Sequence, residues 1–281
     1  MSAIDTYRVG DAEVTRVTEQ TVTLPIGTLF PDHVDEIGHN RLEGEVELSI
    51  HSWVVRTAQH LIVIDTATGN GRDRGGNAFF HNLQTDYPAR LAAAGVGPEA
   101  VDFVLLTHLH IDHVGWNTRW AGECWAPMFP NATYVMSAKE LDIWRSDPAR
   151  ATMFADSIEP VLERCGVKVV DPATNPTFAG ALTYHHSPGH SPDHASIALA
   201  SNGAHALFGG DVLHHPVQAR FPHWNSTFCE DKPRAVSARA WALDWCARHE
   251  ALYFSSHFAE SSAGTITPSG GATGTYNWQF K

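Results

Sequence analysis

Four short strand-like runs in this chain each end within a few residues of a histidine or an aspartate, and that pattern restricts the fold more than any other feature. Phe103 to Leu106 is followed by Thr107-His108-Leu109-His110-Ile111-Asp112-His113. Leu182 to His185 leads into Ser187-Pro188-Gly189-His190-Ser191-Pro192-Asp193-His194, Ala204 to Phe208 into Gly209-Gly210-Asp211, and Leu252 to Ser255 into Ser256-His257. The wholly apolar run Phe103 to Leu106 reads as a central strand buried on both faces. Strands that release such residues at their exits gather them, from distant parts of the sequence, onto one edge of the sheets. Three imidazoles and a carboxylate between His108 and His113 suit zinc or another borderline divalent ion. With His190, Asp211 and His257 the set holds donors for two ions, and one carboxylate is free to bridge them.

The rest of the chain frames these runs. Val14 to Val17, Ser49 to Arg56, His60 to Asp65, Thr133 to Ser137, Val167 to Val170, Ser196 to Ala200 and Gly264 to Ile266 read as further strands. Ala138 to Arg145 reads as a helix with Ser137 as its N-cap. A helix is also expected around Leu83 and Tyr87 to Ala94, following the Gly-rich turn Thr66 to Asn77. The Gly69-x-Gly71 pair in that turn lacks the third glycine and the acidic partner of a dinucleotide fingerprint. Pro233 to His249 is the clearest helix, with Val236, Ala240, Leu243 and Ala247 on one face and Trp241 and Trp245 flanking it. Leu24 to Glu47, with Pro25, Gly27, Pro31, Gly38 and Gly44, reads as a long loop that serves as a lid, a dimerisation arm or a plain surface excursion. No repeat or low-complexity linker divides residues 1–281, so a single layered α/β domain is expected.

Composition excludes some functions. A formal net charge of -12 opposes the phosphate backbone of nucleic acids and serves solubility instead. No apolar run is long enough to cross a bilayer, and nothing resembles a polybasic membrane patch. Met1 to Thr6 lacks the basic and apolar regions of a secretory signal, so the expected location is the cytoplasm. Cys124, Cys165, Cys229 and Cys246 form no CxxC pair, and in a reducing compartment most of them serve as small buried hydrophobes.

His108-x-His110-x-Asp112-His113, followed in order by His190, Asp211 and His257, resembles the metal signature of the metallo-β-lactamase superfamily. The likeness runs from about Ser49 to Ile266 and includes Ile64-Asp65-Thr66, similar to that family's structural aspartate. The resemblance implies an αββα four-layer sandwich with the metal site at one edge of its two sheets. It places one ion on His108, His110 and His190 and a second on Asp112, His113 and His257, with Asp211 bridging. Two zinc ions are expected, and iron, manganese or cobalt also occupy such sites. Two such ions, about 3.5–4 Å apart, share a water and bring its pKa towards neutrality. The bridging hydroxide attacks a carbonyl or phosphoryl centre while Asp112 carries the proton to the leaving group. Asp65 and Thr107 orient ligands through hydrogen bonds.

Departures from the family's branches narrow the substrate. Nucleic-acid-processing members are basic, and flavodiiron enzymes carry Glu where His110 stands. Secreted β-lactamases place Cys or Ser at Asp211, and thioester hydrolases of the glutathione pathway add a basic C-terminal region that Gly270 to Lys281 does not resemble. Two branches remain. Acyl-homoserine lactonases share the motif but carry Tyr where His214 stands. Methyl parathion hydrolase is more similar around Gly210-Asp211-Val212-Leu213-His214, Val217-Gln218 and Phe221-Pro222. The expected substrate is a small neutral lactone or carboxylic ester, with phosphotriester or β-lactam hydrolysis as the alternative. A mononuclear-iron persulfide dioxygenase and a non-catalytic metal-stabilised protein are the competing classes.

Other histidines take plainer roles. His51, His60, His81, His205 and His249 are expected to be satisfied polar groups, and His185, His186, His194, His214 and His215 to hydrogen-bond around the ligands. Phe30, Trp116, Phe221 and Trp224 lie near the expected mouth, where core packing and pocket lining are equal expectations. The partner is a small molecule, with no nucleic acid and no membrane; a homodimer through the 24–47 stretch is an open option.

Overall fold

The computed structural model describes residues 5–271 and 274–281; Met1 to Ile4, on which most of the signal-peptide reading rests, lie outside them. The first sheet begins with strands β1 (Thr6–Val9), β2 (Ala12–Pro25), β3 (Glu45–Arg56), β4 (Leu61–Ile64) and β5 (Phe103–Leu105). A small hairpin, β6 (Thr118–Trp120) and β7 (Trp125–Pro127), precedes β8 (Thr133–Ser137) and β9 (Gly166–Val170), which complete the sheet in the order β1-β2-β3-β4-β5-β8-β9. The second sheet runs in chain order: β10 (Thr177–Phe178), β11 (Leu182–His186), β12 (Ala195–Ser201), β13 (Ala204–Phe208), β14 (Leu252–Phe254), β15 (Ala263–Pro268) and β16 (Tyr276–Phe280).

Three apolar layers hold these sheets, and the strand period of two decides which residue enters which layer. In β4, Leu61 and Val63 face outward while Ile62 and Ile64 face the second sheet. The outward layer packs Val63, Val104 and Tyr134 against helical Leu91, Leu141, Trp144 and Val161. Between the sheets, Trp53, Ile62, Ile64 and Leu105 meet Tyr184, Ile197, Phe208 and Phe254. Beyond the second sheet, Ala198, Leu207, Tyr253 and Ile266 pack on Ala242, Leu243 and Cys246 of the longest helix, Lys232–His249. Helix, sheet, sheet, helix is the αββα sandwich. Among the described residues, no helix is long and apolar enough to cross a membrane.

Several expected elements shift. Leu24 to Glu47 is not a loop: β2 and β3 form one long hairpin that pairs Leu24 with Val46 and Pro25 with Glu45. Its tip holds short helices Ile26–Leu29 and Val34–His39, which bury Ile26, Leu29 and Ile37 in the outer core. Prolines and glycines made this stretch look irregular, although Val22-x-Leu24 and Val46-x-Leu48 already alternated. The register of the hairpin slips between Thr18 and Gln20, and Glu19, in the bulge, is buried. Its carboxylate accepts from Thr68 N at 2.6 Å, Gly69 N at 3.1 Å and Trp116 Nε1 at 2.6 Å. Leu83 precedes its helix, Tyr87–Ala93, rather than joining it.

The Lys232–His249 helix buries Ala235, Ala238, Arg239, Ala242, Leu243 and Cys246, while Ala240 is exposed and Val236 only half-buried. The stripe is rotated from the expected one because a charged residue lies at its centre. Arg239 donates to Val212 O at 3.0 Å, Pro222 O at 2.7 Å and Asn225 Oδ1 at 3.3 Å, which supplies the partners that burial of a guanidinium requires. Ser137 caps Ala138–Ser146 as expected, accepting from Glu140 N at 3.2 Å. Of the cysteines only Cys229 and Cys246 are buried; Cys124 is exposed and Cys165 half-buried.

Candidate metal centre

The seven residues singled out from the sequence converge where β5, β11, β13 and β14 run out. The turn after β5 is tied down by Asp65, which leaves β4 in a left-handed conformation (φ 54°). Its carboxylate accepts from Thr107 N and Thr107 Oγ1, both at 2.8 Å, and from His113 Nδ1 at 2.9 Å. Thr107 Oγ1, having given its proton to Asp65, accepts from His108 Nδ1 at 3.0 Å. His257 Nδ1 donates to Ser49 O at 3.1 Å. Each of these rings is therefore oriented with its Nε2 pointing inward.

The inward atoms form two groups that share a carboxylate. His108, His110 and His190 each bring a donor atom within 4.8 Å of the others, as do Asp112, His113 and His257. Asp211 lies between them: Oδ1 is 3.2 Å from His113 Nε2, and Oδ2 is 3.2 Å from His190 Nε2 and 3.0 Å from His257 Nε2. Asp112 sits further out, with Oδ2 3.8 Å from His257 Nε2. Burial alone would raise the pKa of Asp211; the charges of His257, His113 and His190 reverse this and hold it well below the usual carboxylate range.

Glycine makes the approach of Asp211 feasible. Gly210 has a φ of +56°, and a Cβ there would lie 2.4 Å from His194 Nε2. His194 Nε2 in turn accepts from Asp211 N at 2.9 Å. Burial lowers the pKa of His194 to about 3, so the ring stays neutral and keeps that lone pair. Gly189 is equally constrained: a Cβ would meet Ala235 N at 2.1 Å, so only glycine lets the turn carrying His190 pack on the long helix.

The residues present fit divalent ions. His108 Nε2, His113 Nε2 and Asp211 Oδ1 are buried polar atoms without a hydrogen-bond partner, an arrangement too costly to persist unless another group satisfies them. His113 Nε2 and Asp211 Oδ1 have the separation of neighbouring ligands without making an aligned hydrogen bond. A donor set of imidazole and carboxylate, without thiolate, matches zinc and its borderline neighbours.

Above the cluster opens a cavity of about 340 Å³, walled by Val22, Leu24, Leu48, Ile50, Ile111 and Phe228 and floored by His110, Asp112, His190, Asp211, His214 and His257. Among the described residues, no lysine or arginine lines it. A larger groove of about 490 Å³ beyond Ile111 contains none of the seven residues. The four aromatics assigned to the mouth do not line the cavity. Trp116 stacks on Tyr87 at 5.2 Å, and Phe30 and Phe221 pack on Trp224 at 5.5 and 4.7 Å. Trp116 packs beside the hairpin bulge and the other three at the hairpin tip, and the walls come from the alternating residues of β2 and β3 together with Phe79, Phe80, Ile111 and Phe228. His214 does reach the cavity, its Nε2 3.4 Å from Asp211 Oδ2.

The remaining histidines divide by location. His194 meets Asp211, and His215 Nδ1 accepts from Val217 N at 3.2 Å. His186 pairs with Asp193 at 2.9 Å. His185 lies on the far face of the second sheet against Trp241 and Trp245, away from the ligands. Glu230 was not expected here; its Oε1 is 3.5 Å from His110 Nε2, and nothing in its sequence neighbourhood marks it.

Residues 46–259 match the family model of the metallo-β-lactamase superfamily. The chain belongs to that superfamily. It is a hydrolytic enzyme. It is 28% identical over 186 residues to the "Probable metallo-hydrolase YybB" of Bacillus subtilis (strain 168), covering 63% of this chain and 71% of that protein. Its fold is similar to that of AidC, a dizinc quorum-quenching lactonase, with a TM-score of 0.79, 18% identity and coverage of 99% and 97% of the two chains. It is also similar to the hydrolase AbOPH, with a TM-score of 0.80, 24% identity and coverage of 100% and 98%.

Proposed function

We propose that this superfamily member is a dinuclear metal-dependent hydrolase of a small neutral lactone or carboxylic ester. The observation that carries the reading is the cavity: apolar walls without a cation stand directly over a floor of imidazoles and carboxylates. Such a wall favours a neutral, moderately apolar substrate, because a charged group away from the reacting centre would meet apolar side chains without a countercharge. The likeness to a lactonase fold supports the ring ester among neutral candidates.

His108, His110 and His190 would hold one ion and Asp112, His113 and His257 the other, with Asp211 shared, and zinc is the expected occupant of both. When bound, such a pair supplies a nucleophilic water at neutral pH and polarises the carbonyl oxygen. The protein does the rest. Val22, Leu24, Leu48 and Ile50 exclude bulk water and orient the apolar part of the substrate. The Asp112 carboxylate, at the cavity edge, accepts the nucleophile's proton and returns it to the leaving alkoxide. His214 Nε2 faces the cavity from the floor and donates a hydrogen bond to the substrate oxygen.

The test is a pH-indicator hydrolysis screen of zinc-reconstituted protein against lactones, aryl esters, phosphotriesters and a β-lactam, with Asp211→Ala as control and metal counted by mass spectrometry. The expected result is two metals per chain that Asp211→Ala no longer holds, and turnover of lactones or aryl esters that the variant loses. Two bound metals with no turnover across the panel would refute the substrate class. A single bound iron with oxygen consumption would replace the hydrolase by a dioxygenase.

A further inference from the structure

A second histidine–carboxylate cluster lies outside the catalytic edge, where the hairpin tip meets the segment after His214. His33 and Glu36 come from the start of the Val34–His39 helix, and His223 from the turn that ends in Trp224. His33 Nδ1 is 2.9 Å from Glu36 Oε1, and His223 Nε2 is 3.1 Å from Glu36 Oε2. All three donor atoms lie within 4.8 Å of one another. We propose that His33, Glu36 and His223 form a further metal site that takes an exchangeable borderline divalent cation such as zinc.

Three features support an ion over a simple hydrogen-bonded trio. Donors about 2.0–2.2 Å from one zinc ion stand roughly 3–3.5 Å apart, and the Glu36 oxygens already lie 2.9 Å from His33 Nδ1 and 3.1 Å from His223 Nε2. The ligands are also oriented by their neighbours. Trp224 Nε1 donates to Glu36 Oε2 at 3.1 Å and fixes the carboxylate with Oε1 turned toward His33 Nδ1, while the His33 ring stacks on Trp224 with centroids 5.3 Å apart and planes 10° from parallel. Such supporting contacts fix ligand direction around metals. Finally the chemistry is selective: two imidazoles and one carboxylate match zinc, copper, nickel or cobalt better than calcium or magnesium, which favour oxygen shells. Hydrogen bonds and the charge of His223 hold the Glu36 carboxyl at about 2, so the ligand is ionised at any physiological pH.

The exposure of the trio defines what kind of site it is. Side-chain exposures of 14% for His33, 43% for Glu36 and 55% for His223 leave one face open to water. Three protein ligands with solvent completing the shell give an exchangeable ion rather than a closed structural one. Its consequence is mechanical. Glu36 and His223 are 187 residues apart in sequence, so the ion would staple the hairpin tip to the segment carrying His214. Gln218 passes that restraint on: its Nε2 donates to Trp224 O at 2.9 Å, and its Oε1 accepts from His214 N at 2.7 Å.

The experiment is equilibrium dialysis of the full-length protein against Zn2+, with bound zinc counted for wild type, His223→Ala, Glu36→Gln and Asp211→Ala. His223 is exposed, so its replacement leaves folding intact, which circular dichroism checks. The expected result is one zinc equivalent fewer per chain in both His223→Ala and Glu36→Gln, while Asp211→Ala retains that equivalent. Zinc should also raise the Tm of Asp211→Ala, and this shift should vanish when His223→Ala is added. Equal zinc content in wild type, His223→Ala and Glu36→Gln would overturn the proposal and leave a hydrogen-bonded trio. Because the catalytic ions are lost through Asp211 and this ion through His223, the two sites fail separately.

Discussion

Replacing Asp65 by asparagine should weaken metal binding while leaving the metal-free fold almost unchanged. Asp65 accepts three protons, from Thr107 N, Thr107 Oγ1 and His113 Nδ1. Asparagine has the same shape but only one accepting oxygen, and its amide must face the other two partners. The backbone amide of Thr107 cannot change its role, so the oxygen stays there. The Thr107 hydroxyl can rotate to accept. His113 can relieve the remaining clash only by moving its proton from Nδ1 to Nε2, which then faces the Asp211 carboxylate, now 3.2 Å away. Without metal no two donors face each other. With metal the Nε2 lone pair must be recovered, which leaves two donors facing each other at a cost of about 1–3 kcal/mol. That range agrees with the roughly 10–100-fold loss of affinity seen when supporting partners of metal ligands are removed. Chelator competition on wild type and Asp65→Asn measures it, beside the Tm of each metal-free protein. An affinity within about threefold of wild type, or a metal-free Tm that falls as far as the affinity does, would refute the tautomer argument.

Gly210→Ala forces a left-handed backbone on a residue with a Cβ, costing about 1–2 kcal/mol, and drives that Cβ to 2.4 Å from His194 Nε2. Its Tm should fall by about 2–4 °C per kcal/mol lost, with most hydrolytic activity gone because Asp211 N loses its acceptor; wild-type Tm and activity would show that the turn relaxes freely. His215 gives a pH dependence, because burial takes its pKa from 6.5 to about 4. The unfolded chain takes up that proton first, so this stabilisation is complete above 6.5 and is lost as the pH falls towards 4, about 3 kcal/mol between the limits. Urea titrations should show a shallower loss over this window for His215→Gln, and equal slopes would exclude His215 as the source.

Much of the sandwich was legible because its central strands are buried on both faces. Residues 133–137 and 204–208 are found in the strands expected of them, since short runs rich in apolar and β-favouring residues have few alternatives. Of β2 only Val14 to Val17 was read as strand, for the opposite reason: only one face is buried, and its threonines, Arg16 and Gln20 mask the alternation further along. β16 was overlooked although Tyr276, Trp278 and Phe280 alternate with polar residues. The chemical edge was legible because donors at strand exits need no knowledge of side-chain direction. The cavity walls were not, because which aromatics face the mouth depends on how the hairpin tip folds back. Arg239 shows the same limit in a helix. A charged residue at the centre of a buried stripe is visible only once its carbonyl partners are in place.

The division of the ligands between the two sheets has a consequence for the whole molecule. His108, His110, Asp112 and His113 leave the first sheet, whereas His190, Asp211 and His257 leave the second. The distance between the halves of the centre is therefore set by the thickness of the apolar layer in which Trp53 and Leu105 meet Phe208 and Phe254. Close-packed interiors transmit volume changes instead of absorbing them. The inter-sheet core thus acts as a spacer gauge, and a methyl group gained or lost there alters the span across which Asp211 must reach.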